Sequence, residues 1–84
     1  MSAIHKELGQ IDRELDACGL NCPMPLLKAK QALNAMAAGE TLKVMATDPG
    51  SVRDFSSFAD IAGHELLFSD EQQGIFTYVL RKHG

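Results

Sequence analysis

Two prolines separated by a single residue, Pro23 and Pro25, dictate where the first helix of this chain can begin. Proline has no backbone donor and its ring clashes with the preceding turn, so such a pair would break a helix interior. In the first turn it is harmless, because those N–H groups lack intrahelical acceptors anyway. Pro23 also pushes Cys22 toward extended geometry, which suits an N-cap position. The spacing predicts a helix over residues 23–37, with Leu26, Ala29, Leu33, Met36 and Ala37 on one apolar face. Lys28, Gln31 and Ala35 lie opposite. Lys30 falls at the edge of the stripe, where its stem can pack while the ammonium reaches water. Gly39 is placed to end the helix.

The remaining segments alternate in type. Ile11, Leu15 and Ala17 fall on one side of a period-two pattern, with Asp12, Glu14 and Asp16 on the other, predicting a half-buried strand over 11–17. A second strand is expected over 41–47, with Leu42, Val44 and Ala46 on one face. Asp48-Pro49 reads as an Asp cap followed by proline at the first helical position. Val52, Phe55, Ala59 and Ala62 would be the buried side of that second helix, with Phe58 beside them and Gly63 closing it. Residues 64–69 read as a third strand, 70–74 as a hairpin loop, and 75–82 as a fourth strand whose Phe76, Tyr78 and Leu80 share a face. The order β-α-β-α-β-β makes the first two strands parallel and the last two an antiparallel hairpin. The expected fold is an α/β (α+β) two-layer sandwich, a mixed four-stranded sheet covered on one face by two helices.

Eighty-four residues suit one small domain over 11–84, preceded by a flexible extension over 1–10. A core this small leaves little room for an internal ligand cavity, so chemistry is expected at the surface. The net charge of −3 and the scattered basic residues argue against direct nucleic-acid binding and favour a protein partner. No apolar run is long enough for a membrane span, and the charged N-terminus is not a signal peptide. A reducing, cytoplasmic setting is expected, in which two cysteines are chemistry or core filler rather than a structural disulfide.

An ordinary thiol with a pKa near 8.5 is only about 3% ionised at pH 7. A helix N-terminus favours the anion, so Cys22 is expected to be an exposed and partly ionised nucleophile. Neither a histidine nor a second base lies nearby in sequence to make it a hydrolase.

The stretch Leu15-Asp16-Ala17-Cys18-Gly19-Leu20-Asn21-Cys22-Pro23-Met24-Pro25 resembles the signature of the TusA/SirA-like sulfur-carrier family. Thr47-Asp48-Pro49-Gly50-Ser51, Arg53-Asp54-Phe55 and Gly63-His64-Glu65-Leu66 are similar to its further segments, and together the likeness runs over about residues 14–82. The resemblance implies a sulfur-transfer module rather than a free-standing enzyme. A cysteine desulfurase or other persulfide donor would load sulfane sulfur onto Cys22, and the persulfide would pass to an acceptor protein. The routes implied lead to tRNA 2-thiolation or related sulfur trafficking. No cofactor and no metal are required, and a transient carrier that keeps its cysteine free is expected to be a monomer. The same two-layer fold is implied.

Cys18 stands where many relatives carry another residue. It reads as small-residue packing or, alternatively, as a resolving or redox thiol. Asp48, Pro49 and Ser51 read most simply as helix caps. Because both helices leave the carboxyl ends of adjacent parallel strands, Asp48, Ser51 and Arg53 are also candidates to frame a docking surface near Cys22. Arg53 and Lys30 are candidates to dock partners or steady an anionic persulfide. A zinc site from Cys18, Cys22 and His64 lacks an evident fourth ligand. The methionines read as core filler. The rival reading is a redox-sensing or regulatory protein-binding module of the same fold.

Overall fold

Alternation in the strands and two amphipathic helices resolve into one arrangement in the structure, a computed structural model that describes residues 11–83. In chain order the elements are β1 (Arg13–Ala17), α1 (Met24–Asn34), β2 (Thr41–Ala46), α2 (Ser51–Ala62), β3 (Glu65–Gln72) and β4 (Ile75–Arg81). The expected extension over 1–10 lies outside the described residues. The sheet order is β1-β2-β4-β3. β1 and β2 are parallel, with Leu15 opposite Val44 and Ala17 opposite Ala46. β4 is antiparallel to both β2 and β3.

The register places Leu15, Ala17, Leu42, Val44, Ala46, Phe76, Tyr78 and Leu80 on one sheet face. The helices pack there: Ala29 and Leu33 of α1 and Phe55 and Ala59 of α2 join Leu42, Val44, Tyr78 and Leu80 in one core cluster. Phe55 stacks flat on Tyr78, with ring centroids 4.5 Å apart. Such a pair contributes about 0.5–1.5 kcal/mol beyond its buried area. The expected two-layer α+β sandwich is therefore the fold observed.

Several boundaries differ from the sequence expectation. β1 starts at Arg13 rather than Ile11, because the Asp12 carboxylate accepts the Thr41 N–H at 2.8 Å, where a strand carbonyl would otherwise do so. α1 ends at Asn34, well short of Ala37. Its last turn tightens, with the N–H groups of Ala35 and Met36 each donating three residues back at 3.1 Å. The Lys82 ammonium donates to the Met36 carbonyl at 2.7 Å, so a side chain from beyond β4 takes up an orphan acceptor at that end. Gly39, at φ 87°, serves the turn into β2 instead of capping the helix.

α2 begins at Ser51 with Gly50 as its cap, so Asp48 is not a side-chain cap and Pro49 precedes the helix. The Asp48 main-chain carbonyl accepts from the Ser51 N–H at 3.0 Å, making a turn ahead of the helix. This offset puts Ser51, Phe55 and Ala59 on the buried row and turns Val52 outward. Ala62 is also exposed, at the helix end. Gly63, at φ 80°, closes the helix as expected.

β3 is longer than expected and runs through Asp70 and Glu71 to Gln72. The connection to β4 is a two-residue turn, Gln73-Gly74, with φ 54° and 82°. Positive φ at both central positions marks the turn whose twist matches paired strands. The polar run that looked like a loop is the solvent-facing end of an edge strand, where charge discourages pairing with other chains. A register shift between Leu66 and Phe68 adds one residue to β3 at Leu67.

Candidate functional site

The carboxyl ends of β1 and β2 lie side by side, so the chain leaves both toward the same edge of the sheet. From β1 it turns through Cys18 and Gly19, and Gly19, at φ 84°, donates its N–H to Thr47 Oγ1 at 2.8 Å. That bond ties the β1–α1 loop to the end of β2. Leu20 drops against the core, and the Met24 N–H donates to the Asn21 carbonyl at 2.8 Å, making a tight turn around Cys22. The Cys22–Pro23 peptide bond is cis. Pro23 takes the cap position, Pro25 is buried in the first turn, and the Leu27 N–H donates to the Pro23 carbonyl at 3.0 Å. Cys22 thus sits one residue ahead of the cap rather than on it. Its thiol is free and exposed.

The head of α2 backs onto this loop through Gly50. A Cβ there would lie 3.0 Å from Asp48 Oδ2 and 3.7 Å from Cys22 Cβ. An open cleft runs from Cys22 along Pro49, Val52, Arg53 and Asp54. Asp48 Oδ2 is buried here without a hydrogen-bond partner. Three large apolar side chains are exposed in the first turns of these two helices, Met24 (42%), Leu27 (42%) and Val52 (45%), while a fourth, Ile61, is exposed at the far end of α2.

The electrostatics reverse the expectation of a partly ionised sulfur. Cys22 Sγ donates to Asp54 Oδ2 at 2.6 Å. This hydrogen bond is the largest influence pushing the thiol above its ordinary range; burial and then the charges of Asp54 and Asp48 push the same way. A full negative charge in contact outweighs the partial positive end of a helix. With proline at two of its first positions, α1 also has fewer N–H groups to offer.

The other expected site residues separate into two groups. Arg53 lines the Cys22 cleft, and Asp48 lies behind it. Ser51 does not reach the surface: it is 1% exposed and shares a 2.7 Å hydrogen bond with Tyr78 Oη. Lys30 lies elsewhere on the helical layer, its ammonium 5.7 Å from the centre of the Phe58 ring. Cys18 is exposed rather than packed. Its backbone N–H donates to Asp16 Oδ1 at 3.0 Å, and its thiol, hydrogen-bonded to the same carboxylate, is pushed up.

The zinc arrangement fails on distance. α2 begins at the Cys22 cleft and His64 follows its far end, so twelve residues of helix, about 18 Å, separate them. No cluster of three or more His, Cys, Asp or Glu able to hold a metal occurs among the described residues. His64 instead accepts the His83 N–H on Nδ1 at 2.9 Å and packs against Phe58. His83 is thereby tied to the residue that follows α2, and His5 lies outside the described residues. Met36 is core, but Met24 is exposed beside the site.

Asp54 was missed as a site residue. The available signal was its place as the acidic residue in the first turn of a helix sharing an edge with Cys22. Such a residue ordinarily reads as a complement to the helix dipole.

Fold and site together define a two-layer α+β domain that presents the carboxylate-bonded Cys22 thiol beside exposed apolar side chains. The family model described as sulfurtransferase TusA matches residues 13–82, and the chain belongs to that family. It is 53% identical over 75 residues to the sulfur carrier protein TusA of Allochromatium vinosum, covering 89% of this chain and 99% of that one. It is 49% identical over 71 residues to the protein of the same name in Pseudomonas putida strain GB-1, covering 84% and 89% respectively. A putative sulfur carrier protein of Neisseria meningitidis serogroup A is 49% identical over 67 residues, covering 80% of this chain and 90% of that one. In fold, the chain is similar to the crystal structure of a SirA-like protein from Desulfitobacterium hafniense, with a TM-score of 0.75. That match has 23% identity and covers 86% of this chain and 99% of that one. Among the described residues no helix is long and apolar enough to cross a membrane.

Proposed function

We propose that this chain is a sulfur carrier that holds sulfane sulfur as a persulfide on Cys22 and relays it between proteins. The observation that carries the reading is the free, exposed Cys22 thiol at the head of α1, in a chain 53% identical to a protein named as a sulfur carrier. In loading, the Cys22 thiolate attacks the outer sulfur of a donor persulfide. A new S–S bond forms at Sγ, the donor S–S bond breaks, and the donor leaves as a thiolate that takes up the proton Cys22 released before its attack. In unloading, an acceptor thiolate attacks the outer sulfur and Cys22 departs as the leaving thiolate.

The donor is a cysteine desulfurase or another persulfide-bearing protein, and the acceptor a protein leading to tRNA 2-thiolation or related sulfur trafficking in the cytoplasm. The exposed Met24, Leu27 and Val52 suit protein contact. Arg53, on the cleft wall, is the cation placed to meet a partner or an anionic persulfide; Lys30, engaged with Phe58, contributes at most from the side. Asp48, Pro23 and Pro25 support the loop that presents the sulfur. The carrier acts as a monomer with this edge free.

Incubation with a cysteine desulfurase and cysteine, followed by intact-mass measurement, tests the reading. One added sulfur atom, removed by reductant and absent in Cys22→Ser, is the expected result. A redox-sensing role is favoured by a separate observation: Cys18 and Cys22 are both free and exposed on one short loop. A Cys18–Cys22 disulfide forming under mild oxidant, with no sulfur uptake, would establish that role and end the carrier reading.

A further inference from the structure

We propose that Asp54 biases Cys22 toward giving up its sulfur, by stabilising the empty thiol and disfavouring the loaded persulfide. The inference rests on the persulfide-carrier reading of Cys22 and assigns a chemical role to a neighbour that reading does not need. The geometry is the 2.6 Å contact in which Cys22 Sγ donates to Asp54 Oδ2. That contact requires a proton on Sγ. Once Sγ is joined to a second sulfur it has no proton to donate, and Asp54 loses its donor.

The loaded state carries a second penalty. A persulfide is a stronger acid than its parent thiol, so its outer sulfur is largely anionic at neutral pH. The groups facing that sulfur are Asp54 on the first turn of α2, Asp48 behind Gly50, and Arg53 on the cleft wall. Two carboxylates oppose the anion and one guanidinium favours it. A charge-assisted hydrogen bond therefore exists only before loading, and net repulsion only after it.

The exchange is balanced in both directions. Loading converts the Cys22 thiol and a donor persulfide into a Cys22 persulfide and a donor thiol. One S–S bond is broken, one is made, and the sulfane sulfur keeps its oxidation state. On unloading, the electron pair of the Cys22 S–S bond returns to Sγ. Sγ then takes up the proton that the acceptor thiol released and restores its bond to Asp54. The acceptor's gain is thus reinforced by a hydrogen bond recovered on the carrier. The same bond keeps the idle thiol protonated and slow toward alkylation.

The test uses the full chain in a Cys18→Ser background, so that one thiol is read. Alkylation of Cys22 by iodoacetamide is followed against pH. Loading is followed by intact mass at fixed ratios of glutathione persulfide to glutathione. Asp54→Asn is expected to lower the midpoint of the alkylation profile and raise the equilibrium ratio of loaded to empty protein by about threefold to tenfold, allowing for solvent screening. Asp54→Ala, which removes the acceptor altogether, should give at least as large a change, with both variants folded by circular dichroism. Sulfur uptake with an unchanged loaded-to-empty ratio in both variants would overturn the role of Asp54 alone. Absence of uptake by the parent chain would overturn the carrier reading and this inference with it.

Discussion

Ser51 Oγ and Tyr78 Oη meet at 2.7 Å inside the domain, joining the first residue of α2 to the central strand β4. The two hydroxyls satisfy each other where water does not reach, and Tyr78 is also the ring on which Phe55 stacks. The helix that carries Arg53 and Asp54 is therefore held to the sheet at its first turn. Tyr78→Phe leaves the Ser51 hydroxyl buried without a partner and is expected to cost about 1–2 kcal/mol. Adding Ser51→Ala should cost less than the sum of the two single changes, as urea unfolding of the four proteins will show.

Gly50 is required by proximity rather than by backbone strain, since its φ of −65° suits any residue. Gly50→Ala places a methyl group 3.0 Å from the buried Asp48 Oδ2. The carboxylate must shift, in a space that Cys22 also borders. The expected outcome is a folded protein destabilised by about 1 kcal/mol, with an altered rate of Cys22 alkylation; an unchanged rate would show that the contact does not reach the sulfur.

Gln73 adopts φ 54° in the β3–β4 turn, a conformation that costs most side chains energy. Gln73→Gly removes that cost and is expected to stabilise the hairpin by about 0.5–1 kcal/mol. Thermal melting measures it.

His64 titrates below its ordinary value of 6.5, first because of burial and then because of His83 and Lys82. A histidine with a lowered folded pKa is favoured in its neutral form. Its contribution is whole above about 6.5 and is lost as pH falls from there toward the folded pKa, because the unfolded chain then binds more protons. Protonation also removes the Nδ1 lone pair that accepts the His83 N–H. Urea midpoints should therefore fall between pH 7.5 and 5.5, and His64→Gln, which keeps an acceptor without the charge, should reduce that fall.

Much of this was legible from residue order, because periodicity reports burial and burial decides the layer. Leu42, Val44, Tyr78 and Leu80 were assigned to the core face from alternation alone, and they form its centre. The presentation of Cys22 could be placed at one edge because two parallel strands send both helices from the same side. Boundaries were less legible where side chains replace main-chain bonds: Asp12 shortens β1, and Lys82 serves the end of α1. Asp70, Glu71 and Gln72 misled for another reason, since an edge strand facing water can have the composition of a loop. The state of the thiol was not legible. Asp54 stands 32 positions from Cys22, and a pairwise contact at that separation leaves no periodic trace.

The parallel pairing of β1 with β2 has a practical consequence for anyone handling the protein. β4 runs back from the cysteine end of the sheet, Phe76 opposite Ala46, to finish with Arg81 opposite Thr41. His83 is accordingly moored about a strand's length away, roughly 17 Å along the sheet, beside Gly63 at the far end of α2. A fluorophore or affinity handle attached past that histidine hangs from the side opposite the thiol. Immobilised or labelled in this way, the protein should still admit even a bulky visitor to its sulfur.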